Sequence, residues 1–321
     1  MYNGGLPAGT KTLLPLVAVI GPTGSGKSDL ALRIAAEFHG EILNCDSLQI
    51  YRHFDIGTAK TPPAERRGIP HHLIDIVAPD EIFTAGEFAR RATDTLREIS
   101  ARNHLPVVAG GTGFYLRALL DGLFPGPARD EALRQRLAYR QERRPGSLHR
   151  LLRRFDPAAG ARIHPNDVPK LIRALEVCLL SRRPMTRMFA EGRRALEGYR
   201  TLKIGLSPDR EALYERLDAR CEAMFRGGLV EEVRNILALG YSEQVKPFES
   251  HGYKQVLQML NGELTEKDAI FYAQRNTRRY AKRQVTWFRQ ERGVEWLPGF
   301  GQDEHVQSAA VKLVCEFLTR V

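Results

Sequence analysis

The stretch "VAVIGPTGSGKSDLALRIAAEF", residues 17–38, decides the fold of this 321-residue chain. Gly21, Gly26, Lys27 and Ser28 meet the pattern G-x-x-x-x-G-K-[S/T], between an apolar run and a helical pattern. In this strand–loop–helix context such a loop binds phosphate. Backbone N–H groups, the positive end of the helix and the Lys27 ammonium would hold the anion, and the Ser28 hydroxyl would be a ligand of a bound Mg²⁺. The motif does not name the molecule that carries the phosphate.

The pattern beyond the loop predicts the fold class. Apolar strand candidates alternate with helical patterns: strands at 16–20, 41–45, 72–77 and 105–109, and helices at 27–38, 84–101 and 113–121. Such alternation is typical of a parallel sheet covered by helices. We therefore expect an α/β fold with a P-loop NTPase-like parallel sheet flanked by helices.

The residue composition and the predicted secondary structure change after these elements. Residues 129–154 contain nine Arg and three acidic residues, and the patterns up to about residue 195 are helical only. Strand character returns at 201–209, followed by a long helical pattern to about residue 239. We expect a P-loop-type catalytic core, residues 1–124 and 200–321, interrupted by an all-helical insertion domain, residues 125–199.

Composition limits the class of protein. The 48 Lys and Arg exceed the 38 Asp and Glu, and a net charge of +10 favours a polyanionic partner. The four cysteines lie far apart, which excludes a usual Cys-based zinc finger and indicates a reducing compartment. No run reaches membrane-spanning length and the N-terminus lacks a signal-peptide pattern, so we expect no membrane partner and a cytoplasmic location.

The acidic residue that usually accompanies a P-loop is missing from its usual place. The strand "LPVVAG" runs into Gly110, Gly111, Thr112 and Gly113, where no carboxylate is available. Asp46 instead follows the strand after the P-loop helix, and both loops belong to the carboxyl edge of a parallel sheet. An Asx-turn or helix-capping role for Asp46 is an equally good interpretation of this residue alone.

A basic segment near the C-terminus is a candidate RNA-binding surface. "NTRRYAKRQVTWFR", residues 276–289, carries five basic and no acidic residues. On a helix Arg275, Arg279 and Arg283 lie four residues apart, while Ala281, Val285 and Phe288 line another face. We expect one face to pack and Arg279 and Arg283 to contact phosphates of RNA.

Several longer motifs resemble one family. They are "GPTGSGKS", "DSLQIY", "DIGTAK", "HHLID", "GGTGFYLRALL", "HPND…RALEV" and "TRRYAKRQVTWFR", in this order from Gly21 to Arg289. The chain resembles the bacterial type of the tRNA dimethylallyltransferase family. The resemblance implies transfer of the dimethylallyl group of dimethylallyl diphosphate to the exocyclic amine of the adenosine 3′-adjacent to the anticodon in tRNA. It also implies Mg²⁺ as the cofactor, the tRNA anticodon stem-loop as the partner and a monomeric state.

The resemblance assigns residues to this reaction. The diphosphate with its Mg²⁺ is expected on the P-loop, at Gly21, Thr23, Gly24, Ser25, Gly26, Lys27 and Ser28. Asp46 is expected to act as the general base, with Thr23 and Arg220 as the other catalytic candidates. Arg220 belongs to "RCEAMFRGGLVEEV", where it is expected to reach the diphosphate, although a surface ion pair is the alternative. The expected tRNA contacts are Asp46, Ser47, Leu48, Gln49, Thr112, Arg134, Lys170, Arg173, Arg279 and Arg283.

Three other functions compete with this assignment. A small-molecule kinase would share the P-loop but would bind ATP tightly and need no tRNA. A prenyltransferase acting on free adenosine phosphates would need no large basic insertion. A non-catalytic RNA-binding protein would not need Lys27, Ser28 and Asp46 together.

Overall fold

A single parallel sheet organises the fold in the computed structural model, which describes residues 13–320. Its strands within that range are β1 (Leu14–Ile20), β2 (Gly40–Asn44), β3 (His71–His72), β4 (Leu105–Gly110), β5 (Tyr199–Leu206) and β6 (Val294–Leu297). Their order is β3-β2-β4-β1-β5-β6, and every pairing is parallel. The predicted α/β class with a parallel sheet flanked by helices is confirmed.

α-Helices connect most of the strands, whereas β2 and β3 are joined by a loop with a short 3₁₀-helix, Pro63–Arg66. The α-helices of the described residues are α1 (Lys27–Glu37), α2 (Ala85–Ala101), α3 (Gly113–Leu120), α4 (Glu131–Arg143), α5 (Ser147–Phe155), α6 (Pro157–Arg162), α7 (Val168–Ser181), α8 (Met185–Ala190), α9 (Arg210–Arg226), α10 (Leu229–Ala238), α11 (Tyr253–Leu260), α12 (Glu266–Phe288) and α13 (Glu304–Thr319). Buried apolar side chains of α1 and α13 pack on one side of β1 and its neighbours. A second apolar cluster joins the loop after β2 to α9, α10, α11 and α12.

The sheet brings the loops of the predicted site to one edge. Val17 is paired with Val107 of β4 and with Leu202 of β5, so β1 lies in the interior of the sheet. Because all strands run the same way, the P-loop after β1, Asp46 after β2 and Gly111 after β4 follow carboxyl ends of neighbouring strands. Ligands of open α/β sheets bind at this edge.

Two elements differ from the sequence prediction. The strand expected at 72–77 covers only His71–His72, because Leu73 and Asp75 have positive φ angles of 58° and 57°, which no strand can accommodate. The long helical pattern after β5 is divided into α9 and α10 at Gly228, whose φ is 101°. Glycine adopts this angle without steric cost and therefore ends one helix before the next begins.

The described chain forms two compact units. One contains residues 13–119 and 197–320, and the other is Leu120–Leu196. The second unit contains α4 to α8 around an apolar core that includes Leu137, Leu148, Leu152 and Leu171. The domain limits drawn from the sequence stay a prediction, because compactness does not test independent folding. None of the helices between residues 13 and 320 is long and apolar enough to span a membrane.

Candidate functional site

The P-loop turns between β1 and α1 in a conformation that depends on glycine. Gly24 and Gly26 have φ angles of 81° and 83°. A Cβ atom on Gly26 would lie 2.7 Å from the Gly301 nitrogen, and one on Gly24 would lie 2.7 Å from Leu217 Cδ2. Gly26 is also the residue that precedes α1. The loop therefore approaches its neighbours so closely that side chains are excluded, and the positive end of α1 points to the space above it.

Lys27 is positioned to bind an anion. Its Nζ donates a hydrogen bond to the Pro22 carbonyl at 2.8 Å, and the residue lines a cavity of about 350 Å³. Burial lowers the pKa of Lys27 to about 8; the nearby Asp46 carboxylate opposes this change and the Arg220 guanidinium adds to it. A bound anion would restore the charged form, so this site favours a negatively charged ligand.

The cavity above the P-loop, called here the P-loop cavity, brings together residues from several strands, helices and loops. Arg216 and Arg220 enter it from the same face of α9, one helical turn apart. Burial lowers the pKa of Arg220, and the Arg216 charge lowers it further. The predicted residues that line it are Thr23, Gly24, Gly26, Lys27, Ser28, Asp46, Gln49 and Arg220. Gly21 and Ser25 do not line it, and the Ser25 N–H donates to the Pro22 carbonyl, so these two residues shape the loop.

Thr23 is fixed from two sides. Arg220 Nη2 donates to its hydroxyl at 2.7 Å, and its own N–H donates to Gln284 Oε1 at 2.8 Å. Gln284 Nε2 in turn donates to the Gly111 carbonyl at 2.8 Å. The buried Gln284 side chain thus joins the P-loop, the loop after β4 and α12. Arg220 forms no ion pair with a residue between positions 13 and 320, so the alternative of a surface ion pair is not formed there; its guanidinium instead binds Thr23 of the P-loop.

Sequence reasoning missed Gln284 and Arg216. A signal for Gln284 was present, since it falls between Ala281 and Phe288 on the face of α12 that was expected to pack. A polar residue on a buried face needs hydrogen-bond partners. Arg216 lies four residues before Arg220, and this spacing places both guanidinium groups on one side of a helix.

Asp46 has a structural role and also faces the cavity. Its Oδ1 accepts a hydrogen bond from the Leu48 N–H at 2.9 Å, which is an Asx-turn, so that interpretation of the residue is confirmed. No hydrogen bond to Oδ2 is formed within residues 13–320. Both roles are compatible, because the second carboxylate oxygen remains available.

Thr112 connects the loops after β2 and β4. Its hydroxyl oxygen accepts from the Ser47 N–H at 3.0 Å, and its own N–H donates to the Cys45 carbonyl at 3.2 Å. The Thr112 hydroxyl therefore binds the loop after β2. Its carbonyl accepts the first hydrogen bonds of α3.

The segment "DIGTAK" is held in place by polar contacts. Gln49 Nε2 donates to the Thr58 carbonyl at 3.0 Å. The Glu232 carboxylate accepts the N–H groups of Asp55 and Ile56 at 3.1 and 2.7 Å, and it also accepts the Tyr253 hydroxyl. This segment therefore forms a fixed wall of the P-loop cavity.

A second cavity of about 470 Å³ adjoins the first and is called here the adjoining cavity. Both cavities are lined by Thr23, Asp46, Thr58 and Arg220, so these four residues lie where the cavities meet. Ser47, Leu48, Tyr280 and Arg283 line only the adjoining cavity. A ligand in one cavity can therefore meet a ligand in the other at Asp46.

Two arginines of α12 that are predicted to contact tRNA lie on its exposed face. Arg279 and Arg283 are exposed and form no ion pair with a described residue, while Ala281 and Phe288 are buried. The Arg283 guanidinium lies 5.6 Å from the centre of the Tyr280 ring. This face is therefore free to bind phosphates.

In the helical unit, the three residues that are predicted to contact tRNA form ion pairs with acidic residues of the same unit. Arg134 and Arg173 bind the buried Glu176 carboxylate at 3.1 and 2.6 Å. Lys170 Nζ donates to Asp167 at 2.6 Å, and both ends of this pair lie near the surface. Arg134 is mostly covered, with 18% of its side chain exposed, whereas 72% of Lys170 is exposed. Of the three, Lys170 is the most accessible to a partner.

Known proteins resemble this chain over most of its length. Residues 49–291 match the family model described as IPP transferase. The chain is 67% identical to the tRNA dimethylallyltransferase of Solibacter usitatus over 95% of this chain and 99% of that protein. It is 53% identical to the tRNA dimethylallyltransferase of Koribacter versatilis, over 93% and 97% of the two chains.

Solved structures of similar proteins also match this chain over most of its length. The full-length tRNA isopentenylpyrophosphate transferase of Bacillus halodurans is 36% identical, with a TM-score of 0.70 over 95% of this chain and 97% of that one. A structure of a eukaryotic dimethylallyltransferase acting on tRNA matches with a TM-score of 0.82 at 28% identity. The match covers 95% of this chain and 80% of that one. The family predicted from the motifs is confirmed: this chain belongs to the IPP transferase family.

Proposed function

We propose that this protein transfers the dimethylallyl group of dimethylallyl diphosphate to the exocyclic amine of the adenosine 3′-adjacent to the anticodon in tRNA. The products are isopentenyladenosine and diphosphate. The observation that carries the proposal is the meeting of two cavities at residues that include Thr23, Asp46 and Arg220. A cationic P-loop cavity suits the diphosphate, and the adjoining cavity offers the space for an extruded base.

The P-loop acts as the holder of the leaving group. Breaking the allylic C–O bond concentrates negative charge on the departing diphosphate, so fixed cations and N–H groups stabilise the transition state more than the ground state. Lys27, Arg216 and Arg220 supply the positive charge in the P-loop cavity. Because the Thr23 hydroxyl oxygen accepts from Arg220, its own proton is free to be donated to a diphosphate oxygen.

A magnesium ion fits this site as a partner of the substrate. Between residues 13 and 320 no group of three or more His, Cys, Asp or Glu side chains could hold a metal. Mg²⁺ is usually bound by few protein ligands together with phosphate oxygens and water. The Ser28 hydroxyl at the cavity wall would be its protein ligand, and the ion would neutralise charge on the diphosphate.

Asp46 acts as the general base. The lone pair of the adenine amine is delocalised into the ring, so removal of a proton as the new C–N bond forms lowers the barrier. The hydrogen bond from Leu48 orients the carboxylate, and Oδ2 can accept the proton. The proton therefore passes from the amine to Asp46 while the diphosphate leaves on the other side.

The tRNA is bound by the edge of the adjoining cavity and by basic surfaces. Chemistry on a base in a folded loop requires the base to leave its stack. Ser47 and Leu48 in the adjoining cavity would contact the base, Gln49 and Thr112 would contact the tRNA from the loops beside it, and Arg279 and Arg283 would bind flanking phosphates. In the helical unit Arg134, Lys170 and Arg173 would contact the anticodon stem, and binding of Arg134 or Arg173 to RNA would compete with Glu176. Since tRNA is the substrate, we place the enzyme in the cytoplasm, as a monomer.

The residues at the carboxyl end of β4 argue against a small-molecule kinase. A phosphoryl-transfer site of the P-loop type holds Mg²⁺ with a second acidic residue at a strand end. Here Gly110 and Gly111 occupy that place, and the Gly111 carbonyl is bound by Gln284.

The proposal is tested by incubating the purified protein with labelled dimethylallyl diphosphate, Mg²⁺ and an anticodon stem-loop that carries adenosine at the target position. We expect label on the adenosine amine, no transfer to a stem-loop with guanosine at that position, and no inhibition by excess ATP. Absence of transfer together with saturable ATP binding would favour a kinase.

A further inference from the structure

A third cavity, of about 390 Å³, lies among α9, α12 and the carboxyl end of β5. It shares no lining residue with the P-loop cavity or the adjoining cavity. Its size falls within the range of about 300–1,000 Å³ that is usual for small-ligand sites. It is called here the α9–α12 cavity.

Much of the lining of this cavity is apolar. Leu206, Leu213 and Phe288 form part of the floor and are at most 3% exposed. Tyr214 and Trp296 also line it, and Trp296 is 39% exposed, which is unusual for so large an apolar side chain. Aromatic surface that is kept open to solvent in a concave site is typical of a place where an apolar group binds.

Three further side chains that line the cavity are cationic. Arg210, Lys282 and Arg289 are exposed, and no acidic residue between positions 13 and 320 lines the cavity. None of the three forms an ion pair within the part of the chain that the structure describes. The Arg210 guanidinium lies 5.2 Å from the centre of the Tyr214 ring, so charge and aromatic surface meet at one place. An anionic group is therefore attracted to a cavity whose interior is apolar.

The cavity lies directly behind the phosphate-binding loop. Pro22 is one of its lining residues, and the Pro22 carbonyl accepts the hydrogen bond from Lys27 Nζ. A ligand that packs on Pro22 contacts the residue that positions the P-loop lysine.

We propose that the α9–α12 cavity is a regulatory binding site for an amphipathic anion, a single hydrocarbon chain with a phosphate or carboxylate head group. The chain occupies the space beside Leu213, Phe288 and Trp296. The head group is bound by Lys282 and Arg289. This site goes beyond the proposed function and does not depend on it.

Direct binding tests the site. Decyl phosphate, decanoate and uncharged decanol are titrated below their micelle concentrations by isothermal calorimetry, with Trp296 fluorescence as a second signal. We expect saturable binding of at least one anion and at least about tenfold weaker binding of decanol, because a charged head group gains charge-assisted hydrogen bonds. Binding of decyl phosphate alone identifies a phosphate ligand, and binding of decanoate alone identifies a carboxylate ligand.

Variants test whether the anion binds in the α9–α12 cavity. Thr286→Phe narrows the cavity, and Lys282→Gln combined with Arg289→Gln removes the head-group charges; each should weaken anion binding about tenfold or more. The matched control, Lys254→Gln with Lys267→Gln, removes two exposed lysines outside the cavity and should leave binding unchanged. Wild-type affinity in both cavity variants, equal binding of decanol, or no binding of any probe would overturn the proposal.

The contact between the α9–α12 cavity and Pro22 allows the regulatory role to be measured as a change in diphosphate binding. Occupancy of the α9–α12 cavity should change the dissociation constant of inorganic diphosphate by about fivefold or more, the lower end of typical coupling between sites. Unchanged diphosphate affinity with the cavity saturated would overturn the regulatory role. If diphosphate does not bind at all, the proposed P-loop function fails, while the anion titration still decides whether the cavity is a ligand site.

Discussion

The lowered pKa of Lys27, about 8, gives diphosphate binding a predictable pH dependence. Below pH 8 the ammonium is present and attracts the anion, whereas above it the free protein loses this charge. A bound diphosphate favours the charged form and raises the pKa again, so binding takes up a proton between about pH 8 and the ordinary value near 10.4. We expect the affinity for diphosphate to fall as the pH rises through 8.

Calorimetry in buffers of different ionisation enthalpy measures this proton uptake. Lys27→Ala serves as the control, since it retains only the protonation of diphosphate itself. Equal proton uptake by the wild type and Lys27→Ala would contradict the assignment of this titration to Lys27.

At the scale of elements, α12 is expected to keep the P-loop in its binding conformation through Gln284. In Gln284→Leu the Thr23 N–H and the Gly111 carbonyl lose their partner. An unsatisfied buried polar group costs about 1–3 kcal/mol, equivalent to roughly 5- to 150-fold in an equilibrium constant. We expect kcat/KM for dimethylallyl diphosphate to fall within this range.

Gln290→Leu is the matched control for this variant, because Gln290 is exposed and lies two residues after the last residue of α12. Steady-state kinetics compare the two. A Gln284→Leu enzyme with the kcat/KM of Gln290→Leu would show that α12 does not position the loop.

The amino-terminal end of the interior strand β2 contains a buried carboxylate with a structural role. Glu41 in β2 accepts hydrogen bonds from Arg102, His72 and His104 at 2.6–3.0 Å. The Arg102 hydrogen bonds, supported by those from the two histidines, lower the pKa of Glu41 to about 2, although burial opposes the change. We expect Glu41→Gln to reduce the free energy of unfolding by about 2 kcal/mol at neutral pH, because hydrogen bonds to charged groups are lost.

The sign of the pH dependence follows from the lowered pKa. The stabilisation by Glu41 is complete above the unfolded-state value of about 4.3 and is lost as the pH falls toward 2. Urea unfolding between pH 7 and 2.5 should therefore show a difference between the wild type and Glu41→Gln that decreases in acid. Glu37→Gln, which removes an exposed ion pair with Arg33, should cost less than about 1 kcal/mol. A cost for Glu41→Gln no larger than that of Glu37→Gln would contradict this role.

Local patterns predicted the elements that carry the loops. The bounds of β1, α1 and β4 agree within two residues, because apolar runs and the P-loop motif determine them locally. The 72–77 segment was mispredicted since its apolar residues pack on the loop after β2 instead of joining the sheet, as the bridge between Tyr51 and Val77 shows. Tertiary contacts override local propensity in such segments.

At the scale of the whole molecule, the site depends on contacts that join distant parts of the sequence. Thr23 meets Arg220 and Gln284, which lie 197 and 261 residues away along the chain. Motif spacing could place Thr23, Lys27 and Asp46 at one sheet edge, because parallel strands end there. It could not reveal that α9 and α12 complete the P-loop cavity, since no periodicity in a helix specifies which loop it packs against.

The rate of prenyl transfer by Asp46→Asn tests the central claim, that the carboxylate where the two cavities meet takes the proton of the adenine amine. Asparagine keeps an oxygen for the Leu48 N–H, so the Asx-turn is preserved and only the base is removed. Single-turnover transfer to a saturating anticodon stem-loop should be slower by about 10²- to 10⁴-fold, while diphosphate affinity stays near that of the wild type. Transfer by Asp46→Asn within about tenfold of the wild-type rate, below the contribution usual for a general base, would contradict the account.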